Sequence, residues 1–424
     1  MDRIKELYYE SAYIKEFDAT VVGCECKQTK DGKETYEIIL DQTAFFPEQG
    51  GQSSDVGEIA IYASDNGANT GRNEGSKSKT DSNNENYVVI ATINHVSIDK
   101  EGVIRHVADK ELPVGAKVHG EIDWHHRFSN MQQHTGEHIF SGIVHSKYGF
   151  ENVGFHLSDS EVTMDYNGVL SADDIRDIEF LVNKAIWENV AIRCEFPTAD
   201  ELKEIDYRSK KELTGDVRIV TVEGYDVCAC CAPHVEKTGE IGFLKVVGLQ
   251  NYKGGVRVNI LCGERALSYI QSEHEIVGEL SGMLTTSADK IIPSVKKLSE
   301  ENIALKAELT AVKEKLIDIE LSEIDKSLKN VFLLKEAGLD GNVMRKTVNA
   351  LVAEHSGLCG VFSGDAANGY KFIIGSGADK RDCREAMEVL KTECNAKGGG
   401  SPQMVQGSLV TDNIDDILNE LTNK

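Results

Sequence analysis

Two runs that stand far apart in the chain carry the side chains that most restrict how it folds: HTGEH (134–138) and CACCAPHVEKTGE (228–240). His134 and His138 are four residues apart in a stretch of helical periodicity, 126–149, that stops at Gly149. A helix puts residues i and i+4 on one face, so both imidazoles can grip a single ion. Cys230 and His234 repeat the spacing as CxxxH, and thiolate with imidazole is the donor set zinc prefers. Either half alone is common; both in one chain point to one divalent metal, expected to be Zn2+, held by His134, His138, Cys230 and His234. Four protein ligands are the usual mark of a structural zinc, because a catalytic zinc commonly keeps a position open. HTGEH is not HEXXH, and Glu137 does not stand where the base of a zinc protease would. Cys228 and Cys231 flank Cys230, and either can substitute for it.

Around these halves the pattern changes several times. The stretches 19–28 and 35–40 alternate as strands, and FPEQGGQSSDVGE (46–58) punctuates them. The segment 63–86 holds no aromatic or large apolar residue, so it reads as a disordered loop inserted in a hairpin, with a strand resuming at 87–93. Strands follow near 152–166, and Ser171 can cap a helix over 172–190. The stretch 217–250 is β-rich with turns. Residues 264–330 are helical, with Pro293 marking a break or fresh start.

Within that helical stretch Val295, Leu298, Leu305, Leu309, Val312, Leu316 and Ile319 alternate spacings of three and four if Asn302 fills the missing position. This heptad seam predicts either a coiled-coil homodimer through 295–319 or an antiparallel hairpin packed on its own chain. The last segment reads as a separate α/β domain: a strand at 331–334, a helix at 342–355, a strand pair at 358–364 and 370–377, and a helix at 381–395. A glycine turn at Gly398, Gly399 and Gly400 and a closing helix at 412–422 complete it.

The fold class is therefore α+β and multidomain. A β-rich domain is expected over 1–110, a zinc-bearing α/β domain over 111–265, a helical coiled-coil linker over 266–329 and a C-terminal α/β domain over 330–424. With 40% hydrophobic residues the 424-residue chain can bury sizeable cores. No run of about 18 apolar residues suggests a membrane span, and the charged N-terminus lacks the apolar core of a secretory signal. Ten cysteines in a chain that needs no disulfide staples point to a reducing cytoplasm. A net charge of −24 argues against nonspecific nucleic-acid binding while leaving room for a local RNA-binding face.

Three blocks carry a family resemblance: TAFFPEQGGQSSDVGEI (43–59), DWHHRFSNMQQHTGEHIF (123–140) and CCAPHVEKTGEIG (230–242). They resemble the signature blocks of the alanyl-tRNA synthetase editing domain and of its free-standing relatives, the AlaX-type editing proteins. KGGGSPQMVQGS (397–408), after the long helical segment, is similar to the glycine motif of a DHHA1 domain, as in the long AlaX class. The chain departs from the family in two places. Its Cys230-Cys231-Ala232-Pro233-His234 replaces a C-G-G-T-H run, and Phe46 replaces a Tyr.

The resemblance implies a trans-editing aminoacyl-tRNA hydrolase, zinc-dependent, acting on tRNA(Ala) mischarged with serine first and glycine second. The alternative is a non-catalytic zinc-bearing RNA-binding module. The resemblance also implies that 1–110 closes as a β-barrel, and a chain that begins at that editing barrel is not expected to charge tRNA. Thr43 and Gln52 are candidates to bond the serine hydroxyl, Thr43 being otherwise a strand-end residue. Gly50 and Gly51 form either a turn with positive φ or a close backbone approach to the terminal adenosine. Arg127 is expected to meet a phosphate or form a surface ion pair. Lys397 with Gly398, Gly399 and Gly400 would approach backbone phosphates, the C-terminal domain contacting tRNA away from its acceptor end.

Overall fold

The computed structural model describes residues 4–29, 32–62, 87–209 and 215–423, so the insert expected at 63–86 lies outside the described residues. The chain divides into two compact units, Met1–Ile276 and Val277–Lys424.

The first unit opens with β1 (Lys5–Glu6), β2 (Glu16–Gln28), β3 (Glu34–Leu40), β4 (Gln42–Thr43), β5 (Gly57–Tyr62), β6 (Tyr87–Ile98), β7 (Ile104–Ala108) and β8 (Lys117–Ile122). Six of these close an antiparallel barrel in the order β2-β3-β7-β6-β5-β8, while β1 pairs with β4 outside it. Along β2 the alternation is plain, with Phe17, Ala19 and Val21 buried and Glu16, Asp18 and Val22 exposed. Closure leaves no free barrel edge. The closing strand, β8, lies past the boundary expected at 110, because the barrel cannot close without the strand that pairs with both β2 and β5.

The rest of this unit is α1 (Trp124–Tyr148), β9 (Asn152–Leu157), β10 (Val162–Tyr166), α2 (Ala172–Glu188), β11 (Ile192–Glu195), α3 (Ala199–Glu204), β12 (Ile219–Val222), β13 (Asp226–Ala229), β14 (Leu244–Tyr252) and β15 (Gly255–Cys262). The Asp123 side chain caps α1 by accepting from His126 N at 3.0 Å, and Gly149 ends it in the left-handed region at φ 69°. Ser171 does cap α2, sharing a capping box with Asp174. Two sheets, β14-β15-β10-β9 and β11-β12-β13, complete the lobe. Helix α1 is buried on nearly all sides between Met131 and Val144, and Phe140, Val144, Met164, Ile178, Val182 and Val258 form the core around it. Barrel and lobe, expected as separate domains, lie in one unit. Ala232 is buried in the barrel core, and Cys230 and Cys231 pack against that core.

Helix α4 (Gly263–Leu284) runs on from β15 and spans the division between the units. The second unit holds α5 (Ile291–Glu323), β16 (Val331–Lys335), α6 (Gly341–Glu354), β17 (Leu358–Asp365), β18 (Gly369–Ser376), α7 (Cys383–Cys394), β19 (Lys397–Ser401), β20 (Met404–Leu409) and α8 (Ile414–Asn423). Pro293 sits in the first turn of α5, where its missing N–H matters little. Along α5 the seam residues stay exposed, Leu298 at 58% and Leu316 at 61%, while Ile317 is buried. The sheet runs β16-β17-β18-β20-β19, with β16 and β17 parallel and the other pairs antiparallel. One core lies around Val348 and Leu351 of α6, and another around Met387, Leu390 and Leu418 of α7 and α8. The expected glycine turn is instead the edge strand β19. A Cβ at Gly398 or Gly400 would come within 2.3 Å of Gln406 O and 2.2 Å of Met404 O, so glycine lets β19 lie close against β20. No described helix is long and apolar enough to cross a membrane.

Candidate metal centre

Helix α1 presents His134 and His138 on one face, and the turn after β13 brings Cys230 and His234 to meet them. The four donor atoms lie within 4.8 Å of one another. Cys230 Sγ is 3.5 Å from His134 Nε2 and 3.4 Å from His234 Nε2. In a tetrahedron with Zn–N of about 2.05 Å and Zn–S of about 2.3 Å, the S···N edge is about 3.6 Å. The spacing therefore fits a zinc-sized ion among these atoms. Cys228 belongs to a different group with His138 and Asp226, and Cys231 to none among the described residues, so geometry selects Cys230 from the cysteine cluster.

Each imidazole is turned inward by a partner on its outer nitrogen. His134 Nδ1 donates to Gln52 Oε1 at 2.7 Å, and His138 Nδ1 to Asp226 Oδ2 at 2.9 Å. His234 Nδ1 meets the Thr135 hydroxyl at 3.0 Å. With Nδ1 engaged outward in all three, each Nε2 faces the cluster, and in His134 and His138, whose Nδ1 donates, it carries the lone pair. All three histidines are buried, at 2% exposure each. Burial, and then the charges of His138 and His134, hold His234 well below the usual imidazole range, which keeps it in the neutral form a metal needs. For His138, burial pulls the pKa down but the Asp226 hydrogen bond and the negative charges around it win, and it ends above the ordinary value.

The group His138, Asp226 and Cys228 also has ligand-like spacing. Its carboxylate is already matched by Arg208, whose Nε reaches Oδ1 at 2.8 Å and Nη2 reaches Oδ2 at 3.0 Å. Burial raises the Cys228 thiol to about 11. A guanidinium where a second cation would bind makes this trio the outer layer of the first cluster. Asp226 and Thr135 were not singled out from sequence. A lone carboxylate at the start of a strand and a threonine inside a helix carry no local signal.

The other expected site residues divide. Gly50 and Gly51 have φ of 67° and 87° and make the turn that only glycine adopts freely. A Cβ on Gly51 would lie 2.5 Å from Phe155 O, and one on Gly50 would lie 3.3 Å from Cys231 Sγ, so this turn borders the cysteine loop. The Phe155 ring stands 4.7 Å from the His134 ring. Gln52 is 1% exposed; its oxygen orients His134, and its Nε2 donor has no partner among the described residues. Thr43 is fully buried, its hydroxyl spent on His106 Nε2 at 2.8 Å and on Phe45 N at 3.1 Å.

Arg127 makes neither a phosphate contact nor a surface pair. It is fully buried, its guanidinium bonded to Asp55 and to the carbonyls of Ala44 at 2.6 Å and Ala12 at 2.9 Å. Asp55 in turn accepts from Phe46 N, so this pair ties the 43–55 segment to α1. A buried pair of this kind is costly to break from one side. Glu137 is buried, accepting from Ser141 Oγ at 2.7 Å and Asn152 Nδ2 at 2.6 Å. Lys397, Gly398, Gly399 and Gly400 belong to the second unit, exposed along β19.

This geometry can be set beside known proteins. A family model described as "Threonyl and Alanyl tRNA synthetase second additional domain" matches residues 217–259, the stretch that holds Cys230 and His234. An "Alanyl-tRNA editing protein AlaX-L" of Pyrococcus horikoshii is 30% identical over 305 residues, covering 70% of this chain and 67% of that protein. The chain belongs to the AlaX family of alanyl-tRNA editing proteins. Larger proteins match as well. "Alanine--tRNA ligase" of Ignicoccus hospitalis is 29% identical over 82% of this chain, and that of Pyrococcus furiosus is 28% identical over 83%. The chain spans 36% of the length of each of these ligases. A solved C-Ala domain of Aquifex aeolicus alanyl-tRNA synthetase aligns with 22% of this chain and 87% of its own, at 18% identity and a TM-score of 0.20.

Proposed function

We propose that this AlaX-family chain hydrolyses the ester of tRNA(Ala) mischarged with serine and, less efficiently, with glycine. The observation that carries this reading is the convergence of the four inward donors beside the Gly50-Gly51 turn, in a chain whose relatives include an alanyl-tRNA editing protein. A synthetase cannot reject a slightly different small amino acid by binding alone, so a second site must hydrolyse the error. His134, His138, Cys230 and His234 would hold Zn2+, which supplies Lewis acidity beside the ester when bound. The chain's own groups do the rest. Gly50 and Gly51 hold the turn from which Gln52 reaches the cluster, and their backbone would border the terminal ribose. Gln52 Nε2, a buried donor without a partner among the described residues, is suited to the serine hydroxyl oxygen. Alanine offers that donor nothing, and a buried polar group left unpaired penalises the correct product.

The exposed seam on α5 supports a coiled-coil homodimer through 295–319, with Asn302 setting register. The second unit would act as the DHHA1-like domain that touches tRNA through Lys397 and Gly398–Gly400, and the protein would work in the cytoplasm.

The test incubates the full chain, with and without zinc, with Ser-tRNA(Ala), Ala-tRNA(Ala) and Ser-tRNA(Thr). Zinc-dependent serine release from the first, and little release from the other two, is expected. A zinc-loaded protein that binds Ser-tRNA(Ala) and leaves its ester intact would instead establish the non-catalytic binding module.

A further inference from the structure

An aromatic series steps from the barrel core to the surface beside the cysteine loop. Phe46 is fully buried and meets Tyr8 edge-to-face at 5.3 Å between ring centroids. Tyr8, 1% exposed, meets Tyr9 at 4.6 Å. Tyr9 meets Phe196 at 5.3 Å with the planes 86° apart, and Phe196 is 50% exposed. Each ring packs edge-on against the next, so the outermost one, Phe196, stands against Tyr9 and not alone.

The series is joined to the metal cluster at two points. The guanidinium of Arg218 lies over the Tyr9 ring at 5.5 Å and donates to the carbonyls of Cys230 at 3.0 Å and Ala232 at 2.9 Å. Tyr9, Cys230 and Cys231 pack against the same barrel core, and Cys231 is the residue that the Gly50 turn borders. Phe46 itself belongs to the segment that carries Gly50 and Gln52.

A single exposed aromatic is ordinary on a protein surface. This one ends a packed series beside a metal cluster, and its polar surroundings do not suit a phosphate. Arg218 is buried and spent on carbonyls, while Arg193 on β11 is paired with Glu223 at 3.1 Å. What the platform offers is an uncharged π-face, which any unstacked base can use. We propose that Phe196, steadied by Tyr9, is the subsite that stacks the 3′-terminal adenine of the tRNA while its esterified ribose lies at the metal cluster. This assignment rests on the deacylase reading for its ligand. Its test reads the base directly.

Uncharged tRNA(Ala) carrying 2-aminopurine in place of the terminal adenine is titrated with the full zinc-loaded chain. Stacking should quench its fluorescence on binding. Phe196→Ala should abolish the quench and raise KM for Ser-tRNA(Ala) about tenfold with kcat little changed. Phe196→Tyr should restore both. No quench with the unmodified chain, or the same quench with Phe196→Ala, overturns the proposal. A Phe196-dependent quench without serine release would sink the hydrolase reading and leave the stacking subsite standing.

Discussion

The carboxylate of Asp226 offers the sharpest test of how this centre is built. Its side chain is 1% exposed, it receives His138 Nδ1 at 2.9 Å, and it is gripped from the other side by Arg208. Partners of this kind set ligand orientation and basicity, and removing one lowers metal affinity about 10- to 100-fold, or roughly 1.4 to 3 kcal/mol. Asp226→Ala also orphans Arg208, whose side chain is only 10% exposed, so a further loss of about 3 kcal/mol in folding stability is expected. The two effects separate in a second variant. Asp226→Asn combined with Arg208→Gln removes the stranded charge and should recover most of the stability, yet zinc affinity should stay at least tenfold weak because the anionic partner of His138 is gone. Zinc affinity is measured by chelator competition and stability by urea unfolding of the metal-free protein. An Asp226→Ala protein that binds zinc within twofold of the parent would refute the reasoning.

Four other outcomes follow from the same structure. Removing zinc from the loaded chain should lower the melting temperature of the first unit by roughly 10 °C, since a ligand present at about 1,000 times its Kd adds about 4 kcal/mol; calorimetry of loaded and chelated samples checks this. His106 is fully buried and pushed down to about 4 by that burial, so it opposes protonation when folded. The unfolded chain takes up the proton first as pH falls from about 6.5, so His106 costs stability progressively down to pH 4, up to about 3 kcal/mol. His106→Gln should flatten that limb of a urea-stability profile against pH, and an unchanged slope would contradict the assignment. Gly51→Ala forces a Cβ to 2.5 Å from Phe155 O at a φ of 87°, so it should lose about 1–3 kcal/mol in urea unfolding and most of any serine release. Asn302→Leu should raise the stability of the α5 assembly in analytical ultracentrifugation at several concentrations, and a chain that stays monomeric throughout would dismiss the seam as a dimer interface.

Much of this was legible in the order of residues, because some signals are local. The i, i+4 pair His134 and His138 needs only a helix to converge, and Asp123 and Gly149 mark where that helix starts and stops. Ser171 as a cap, the strands β16, β17 and β18 and the turn at Gly50-Gly51 are likewise written within a few residues. Other features depend on partners distant in the chain. Arg127 reads as a surface cation until Asp55 and two carbonyls surround it. Thr43 and Gln52 look alike as polar residues of one block, yet folding sends the first to His106 in the barrel and the second to His134. The glycines at 398–400 read as a turn because isolated glycines favour turns, and only their pairing with β20 makes them a strand. Sequence alone thus determined the residue types of the metal site, the helix that carries half of it and the family to which the chain belongs. Tertiary structure decided which cysteine stands among the three histidines, which nitrogen each histidine turns inward and which carboxylate stands behind His138, because each of those depends on contacts between residues far apart in the chain.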